Sequence, residues 1–567
     1  MATRRYEPDP RYAPVGGEVC AGWDGAVADL PDGPYVLALD GPALLPWERA
    51  VDEVCAALHR RGLAFERLDL RDSLVPWPDV VAATTSPALA DDPDFERLAG
   101  RELRELFAEL PPARPPASGV LVAYGPGAAL LSPDRLWWLD LPKRFAEAEV
   151  SAGRGHNLGQ RSADGPPTTR RLFYVDWPLT DRHRDAVAAQ VHRWVDLQDP
   201  DRPTSLDGAT LRATMRDLAG RPFRTRPTFN TTPWGGHWAQ RRLGVNPDAP
   251  NTALGYELIA PESGVLVGSV GDAVEVPFQL VVAAHPTEVL GPDVHDMFGT
   301  SFPVRFDYLD TVDGGHLSVH CHPQADYMAE VFGWPYTQHE TYYVMVAGPQ
   351  SRVFLGLRED ADVAGFRRWA AEAEAQGVPL DIERFVQVHP AEPHQLFLIP
   401  AGTPHGSGVG NVVLEVSATP YLYSLRFYDW LRRDAAGGQR PVHVGHAFRN
   451  LDPARTGAAV RRDLVPPPQT VHAGETAREE LLGSLPEMFF EVRRVDLDPG
   501  GVFDDDTAGR FHILTVVEGD GVRVEPVAGA GHGLAYAETL VVPAAVGGYR
   551  LHGLGDERAR AVKAVVR

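Results

Sequence analysis

The sequence predicts a multidomain protein. An N-terminal α/β doubly wound parallel sheet is followed by mainly-β domains of sandwich or barrel type with a helical insertion. Two observations carry this. Apolar runs alternate with stretches of helical spacing as far as residue 220, and beyond about 222 turns become frequent and the apolar runs short. A length of 567 residues accommodates about three or four domains. The expected boundaries are 1–220, 221–460 and 461–567.

Pro34-Tyr35-Val36-Leu37-Ala38-Leu39-Asp40 reads as a buried strand ending in an Asp-Gly-Pro turn. Trp47 to Arg61 follows with Val51, Val54, Cys55 and Leu58 on one helical face, and Gly62 ends it. Ala64–Asp69, Gly119–Tyr124 and Leu136–Asp140 are the next strands, and 181–197 and 206–219 read as helices. Further on, 264–268, 279–283, 342–346 and 352–357 read as short strands, interrupted by one helix near 361–376. Val465-Pro466-Pro467-Pro468-Gln469-Thr470 is a proline-rich linker, and 487–567 returns to strands and turns.

The composition narrows the function. With 44% apolar and 23% charged residues the chain is an ordinary globular one rather than a disordered one. Its net charge of −23 argues against a phosphate-backbone or acidic-membrane partner. Only Lys143 and Lys563 are lysines, so a mechanism has few to draw on. Three cysteines, Cys20, Cys55 and Cys321, form no framework and fit a reducing compartment. Met1–Pro8 has no apolar leader and no apolar run reaches the length of a spanning helix, so a soluble cytoplasmic protein is expected. The oligomeric state is not legible.

The densest chemistry is His316-Leu317-Ser318-Val319-His320-Cys321-His322-Pro323. On a strand from Leu317 to His322, His320 and His322 share a face about 7 Å apart. Glu340 opens an apolar strand, and Ile399-Pro400-Ala401-Gly402-Thr403-Pro404-His405 presents a third imidazole after a tight turn. Three imidazoles and one carboxylate suit zinc, iron(II), manganese or cobalt.

Gly314 to His322, then Glu340, then Pro400 to His405, is similar to the metal signature of cupins, which implies a jelly-roll fold. More narrowly, the region resembles class I mannose-6-phosphate isomerases. The matching segments are Pro233-Trp234-Gly235-Gly236, Phe302-Pro303, Leu317–Pro323, Glu340-Thr341-Tyr342-Tyr343, Ile399–His405 and Arg426-Phe427-Tyr428-Asp429-Trp430-Leu431-Arg432. The resemblance implies zinc held by His320, His322, Glu340 and His405, with His320 where the family has Gln. It implies aldose–ketose isomerisation of a sugar phosphate through an enediol. The base falls on Glu415, the catalytic arginine on Arg426, and substrate contacts on Trp234, Ser318 and Gln338. Two family lysines fall on Asp307 and Gln338, which weakens the case for a phosphate-bearing substrate. The same ligand set also serves an iron or manganese cupin such as a dioxygenase, and the lost lysines also fit a non-catalytic sugar-binding or regulatory protein.

In the N-terminal part, Val36–Pro42 resembles the start of a nucleoside-kinase P-loop, but Ala43–Glu48 lacks the Gly-Lys-Ser/Thr that holds phosphate and Mg²⁺. A P-loop-kinase-like domain without phosphoryl transfer is expected. The last segment resembles the family's final β-barrel. His512, His532 and His552 are too scattered for the metal pattern, so it is expected to be metal-free.

Overall fold

The computed structural model describes residues 5–434 and 437–567. Met1–Arg4, the start of the segment read above as lacking a leader, lies outside them. Among the described residues no helix is long and apolar enough to cross a membrane.

The N-terminal sheet has seven strands. Five are mutually parallel, in the spatial order Phe65–Asp69, Val120–Tyr124, Tyr35–Asp40, Arg135–Asp140, Arg193–Asp196. Thr204–Asp207 and Cys20–Ala21 extend it antiparallel. Tyr35–Asp40 lies in the middle and is buried along its whole length, which is why it reads as a continuous apolar run. The helix Trp47–Arg60 buries Trp47, Val51, Val54, Cys55 and Leu58. Gly62 follows at φ +80°, a backbone that favours glycine.

The central region is two facing antiparallel sheets. One runs Leu396–Ile399, Glu340–Ala347, Asn411–Ala418, Val304–Asp310, Leu254–Leu258, Thr228–Asn230. The other runs Val386–Pro390, Arg352–Leu357, His405–Ser407, Val319–Cys321, Leu425–Tyr428. The C-terminal region repeats the plan with sheets of six and four strands. The three regions are knit together. Arg11–Tyr12 pairs with Leu266–Val267 of the central region, and Phe223 bridges to Val541.

Phe302, fully buried, is packed between Phe278 (5.0 Å) and Phe511 (4.3 Å), which joins the central and C-terminal regions. Phe302→Ala is expected to cost about 3–5 kcal/mol, read as a lower urea midpoint at unchanged slope.

Several expectations are corrected. Residues 279–283 are not a strand but lie in the helix Phe278–Ala284, which begins after Pro277 and packs on the helix Gly208–Ala219. A five-residue apolar run has no periodicity to separate the two states, and the tertiary contact decides. The helix expected at 181–197 is Trp177–Val187 followed by the parallel strand Arg193–Asp196, because Trp194 and Val195 are needed inside the sheet. The helix at 361–376 is present as Val363–Gln376, but Trp238–Leu243, Pro286–Leu290, Pro292–Phe298, Val444–Asn450 and Ala458–Leu464 are helical too. These are five to seven residues long, too short to show a helical period in sequence. The strand expected from Leu317 to His322 is ordered only over Val319–Cys321, because its pairing with Leu425–Tyr428 is irregular between Val319 and His320.

Burial pushes Asp140 and Asp176 up to about 6 and Asp196 up to about 7. The folded chain therefore holds protons that the unfolded chain releases near pH 4. That stability is complete below the unfolded value and is lost as the pH rises through the folded one. Asp196→Asn is accordingly expected to gain on the parent between about pH 5 and about pH 8 in urea unfolding. A pH-independent difference would contradict this.

Candidate metal centre

The centre lies between the two central sheets. On the six-stranded sheet Glu340 stands opposite Ser417, and Glu415 stands opposite both Tyr342 and Asp307. With Arg305 two residues before Asp307, these side chains share the inner face. On the five-stranded sheet His320 stands opposite both His405 and Arg426. The Tyr342 ring meets the His405 ring at 5.7 Å across the gap.

His320, His322, Glu340 and His405 are buried, with donor atoms all within 4.8 Å of one another. Glu340 Oε2 lies 2.5 Å from His322 Nε2 and 3.1 Å from His405 Nε2. Each imidazole turns Nδ1 to a backbone carbonyl: His320 to Ser318 (2.9 Å), His405 to Thr403 (2.9 Å) and His322 to Tyr423 (3.4 Å). For His320 and His405 these bonds assign the proton to Nδ1 and leave the Nε2 lone pair for the centre, whereas His322 Nδ1 also accepts from the Gln338 amide (3.2 Å). Three imidazole nitrogens and one carboxylate are a donor set that fits one divalent cation. Burial holds His320 well below the usual histidine range, with His405 and His322 adding to it. Burial pushes Glu340 upward, but the two imidazoles outweigh it and hold the carboxylate well below its usual range.

Beside the ligands is a second buried set. Arg305 donates to Asp307 (2.9 Å) and to Glu415, and Ser417 Oγ donates to Glu415 (2.8 Å). Gln338, oriented to satisfy its amide, accepts from Arg305 (2.7 Å). Burial raises Glu415 well above its usual range. Arg305 opposes this and Asp307 adds to it. Burial likewise lifts Asp307 to about 6 against the pull of Arg305. Asp307 and Glu415 share the Arg305 guanidinium, and two buried carboxylates on one cation cannot both ionise cheaply.

Of the expected substrate contacts, Ser318 and Gln338 sit against His320 and Arg305 respectively. Trp234 is buried at the turn where its carbonyl accepts from Gly315 N (2.9 Å), and it is not on the cavity wall. Arg426 is on that wall and donates to the Pro441 carbonyl (2.8 Å). The cavity holds about 620 Å³ and is lined by Tyr256, Glu262 and Arg426 and, from the N-terminal region, by Asp94, Arg144 and Glu147. Tyr256 and Arg426 are the cross-strand partners of Asp307 and His320, so the cavity adjoins the centre. A cavity of about 730 Å³ lies elsewhere, past the carboxyl ends of the parallel strands, between Leu44, Arg71 and His156. Glu147 and Glu262 carry no sequence signal, because neither belongs to a spaced motif and they lie in different regions of the chain.

Residues 22–220 match a family model described as a domain of unknown function (DUF8485). The chain is similar to mannose-6-phosphate isomerases. One relative, from Streptococcus mutans, is 28% identical over 218 residues, covering 37% of this chain and 61% of the relative. The Bacillus subtilis mannose-6-phosphate isomerase ManA is 23% identical over 342 residues, covering 59% of this chain and 97% of its own length. Among solved structures, a Bacillus subtilis mannose 6-phosphate isomerase is 18% identical with a TM-score of 0.49, covering 61% of this chain and 100% of its own. A zinc-bound mannose 6-phosphate isomerase is 16% identical with a TM-score of 0.47, again over 61% and 100%.

Proposed function

We propose that the protein is a metal-dependent aldose–ketose isomerase of a hexose or hexose phosphate, of the type that interconverts mannose 6-phosphate and fructose 6-phosphate. The observation that carries this is the buried carboxyl of Glu415, held by Arg305 and Ser417 on the strand beside Glu340, on the face that meets the three histidines. The similarity to mannose-6-phosphate isomerases supports it. His320, His322, Glu340 and His405 would hold the ion, with zinc the expected metal and Fe²⁺, Mn²⁺ or Co²⁺ compatible with the donors. When bound, a divalent ion polarises the carbonyl and hydroxyl oxygens of the sugar.

The chain's own groups supply the rest. Glu415 moves the proton between C1 and C2 of the enediol. Arg426, on the cavity wall and opposite His320, steadies the developing oxyanion. Ser318 orients His320, and Gln338 orients Arg305. Trp234 acts through the turn that carries Gly314 and Gly315. We read the N-terminal region as a doubly wound, P-loop-kinase-like domain that has lost phosphoryl transfer. Its strand order supports this, as does Glu48 in the first turn of the helix Trp47–Arg60, a carboxylate bound to Arg71 (2.8 Å).

Proton NMR of hexose and hexose 6-phosphate pairs in D₂O with zinc-loaded protein tests the proposal. Interconversion that stops on chelation and returns with zinc is expected. Oxygen consumption by iron-loaded protein, with no interconversion, would favour the dioxygenase reading instead.

A further inference from the structure

Carboxylates outnumber guanidiniums on the wall of the cavity beside the centre. Its wall carries three carboxylates, Asp94, Glu147 and Glu262, and two guanidiniums, Arg144 and Arg426. Arg144 is held in a two-pronged fork by Glu275 at 2.6 and 2.5 Å, which satisfies a carboxylate geometrically and spends its charge. Arg426 donates to the Pro441 carbonyl and, among the described residues, is not paired with a carboxylate. Lys143 is near but bound to Asp181 at 2.6 Å, and the other lysine of the chain is Lys563, in the C-terminal region. His443 lies on the same wall and is paired with Asp94 (3.2 Å).

On the opposite side, the Glu262 carboxylate accepts from the Tyr421 hydroxyl. Glu147, half-buried on the helix Lys143–Ser151, makes no hydrogen bond or ion pair among the described residues. Burial, then Glu262, pushes Glu147 up to about 7. Two carboxylates from different regions of the chain thus face one another across a polar cavity. A phosphate dianion beside Glu147 and Glu262 would meet like charge, and the one guanidinium of this wall without a carboxylate partner, Arg426, is the group that faces the oxyanion in the isomerase reading. Sugar hydroxyls, by contrast, donate well to carboxylate oxygens.

We infer that the substrate of this site is an unphosphorylated sugar, and that Glu147 and Glu262 form the wall that selects against its phosphate ester. This rests on the isomerase reading above. It gives the N-terminal region a part in specificity, because Glu147 lies outside the metal-binding sheets.

The test compares matched pairs, glucose, mannose and fructose against their 6-phosphates, with the full-length zinc-loaded protein. Proton NMR in D₂O gives kcat/KM, and calorimetry gives affinity. At least one neutral sugar is expected to exceed its phosphate by about tenfold or more, the cost of one uncompensated like-charge contact. Higher kcat/KM for the phosphates in every pair would overturn the inference and leave the isomerase reading standing. If no pair is interconverted, the isomerase reading falls and affinity decides: tighter binding of the phosphates, or no binding of any neutral sugar, overturns the inference as well. Glu147→Lys is expected to narrow the ratio by raising phosphate-ester affinity about tenfold, with Glu147→Gln intermediate. Unchanged ratios in both variants, with unchanged unfolding midpoints, would remove Glu147 from the wall.

Discussion

His405→Ala protein is expected to purify with metal content reduced at least tenfold and with no detectable sugar isomerisation. The imidazole is fully buried, and its Nδ1 is tied to the Thr403 carbonyl. Its ring lies 4.3 Å from that of His320 and 5.1 Å from that of His322. Truncation therefore removes one of four converging donors and leaves a polar hole that water can enter but that the other three ligands cannot close. The strand His405–Ser407 pairs through its backbone with Val319–Cys321 and Arg352–Leu357, so the fold should survive. Elemental analysis against an unchanged unfolding transition reads the effect. Full metal occupancy in the variant would place the ion elsewhere and sink the centre described above.

Glu415→Gln is expected to retain metal and lose about 10²–10⁴-fold in kcat, the range for a lost general acid–base group. The side chain is buried, and its oxygen accepts from Arg305 and from Ser417 at 2.8 Å. Glutamine preserves the shape and one acceptor but cannot carry a proton between two carbons. Deuterium uptake into the sugar separates this from a merely structural role. A proton-transfer residue abolishes exchange, whereas a structural one alters KM and the unfolding midpoint while exchange continues. Persistence of near-parental exchange would assign Glu415 to the ion-pair set alone.

The candidate ligands are legible because their spacing is local. His320-x-His322 places two rings on one strand face, and Pro400-x-Gly402-x-x-His405 is a turn with Gly402 at φ +81°. Glu415 was reached through the family resemblance, which places the base on the one carboxylate of the apolar run Asn411–Ala418. Arg305 and Asp307 are two apart in sequence, but their partner Glu415 is 110 residues beyond Arg305, and no periodicity reports that pairing. The helix Phe278–Ala284 was misread because Leu280, Val281 and Val282 favour a strand intrinsically, and only its neighbour Gly208–Ala219 tips the balance.

By itself the sequence determined the candidate metal-ligand set, the alternation of strand and helix before residue 220 and the β-rich remainder. Each of these is written in contacts a few residues apart, where backbone geometry converts spacing directly into direction. The tertiary structure alone decided which carboxylate shares a guanidinium with Glu415, how the three regions pack through Arg11–Tyr12 and Phe302, and that Glu147 reaches the cavity beside the centre. Those facts depend on strand order and register between segments hundreds of residues apart. Such pairings are selected by burial of whole faces rather than by any local pattern.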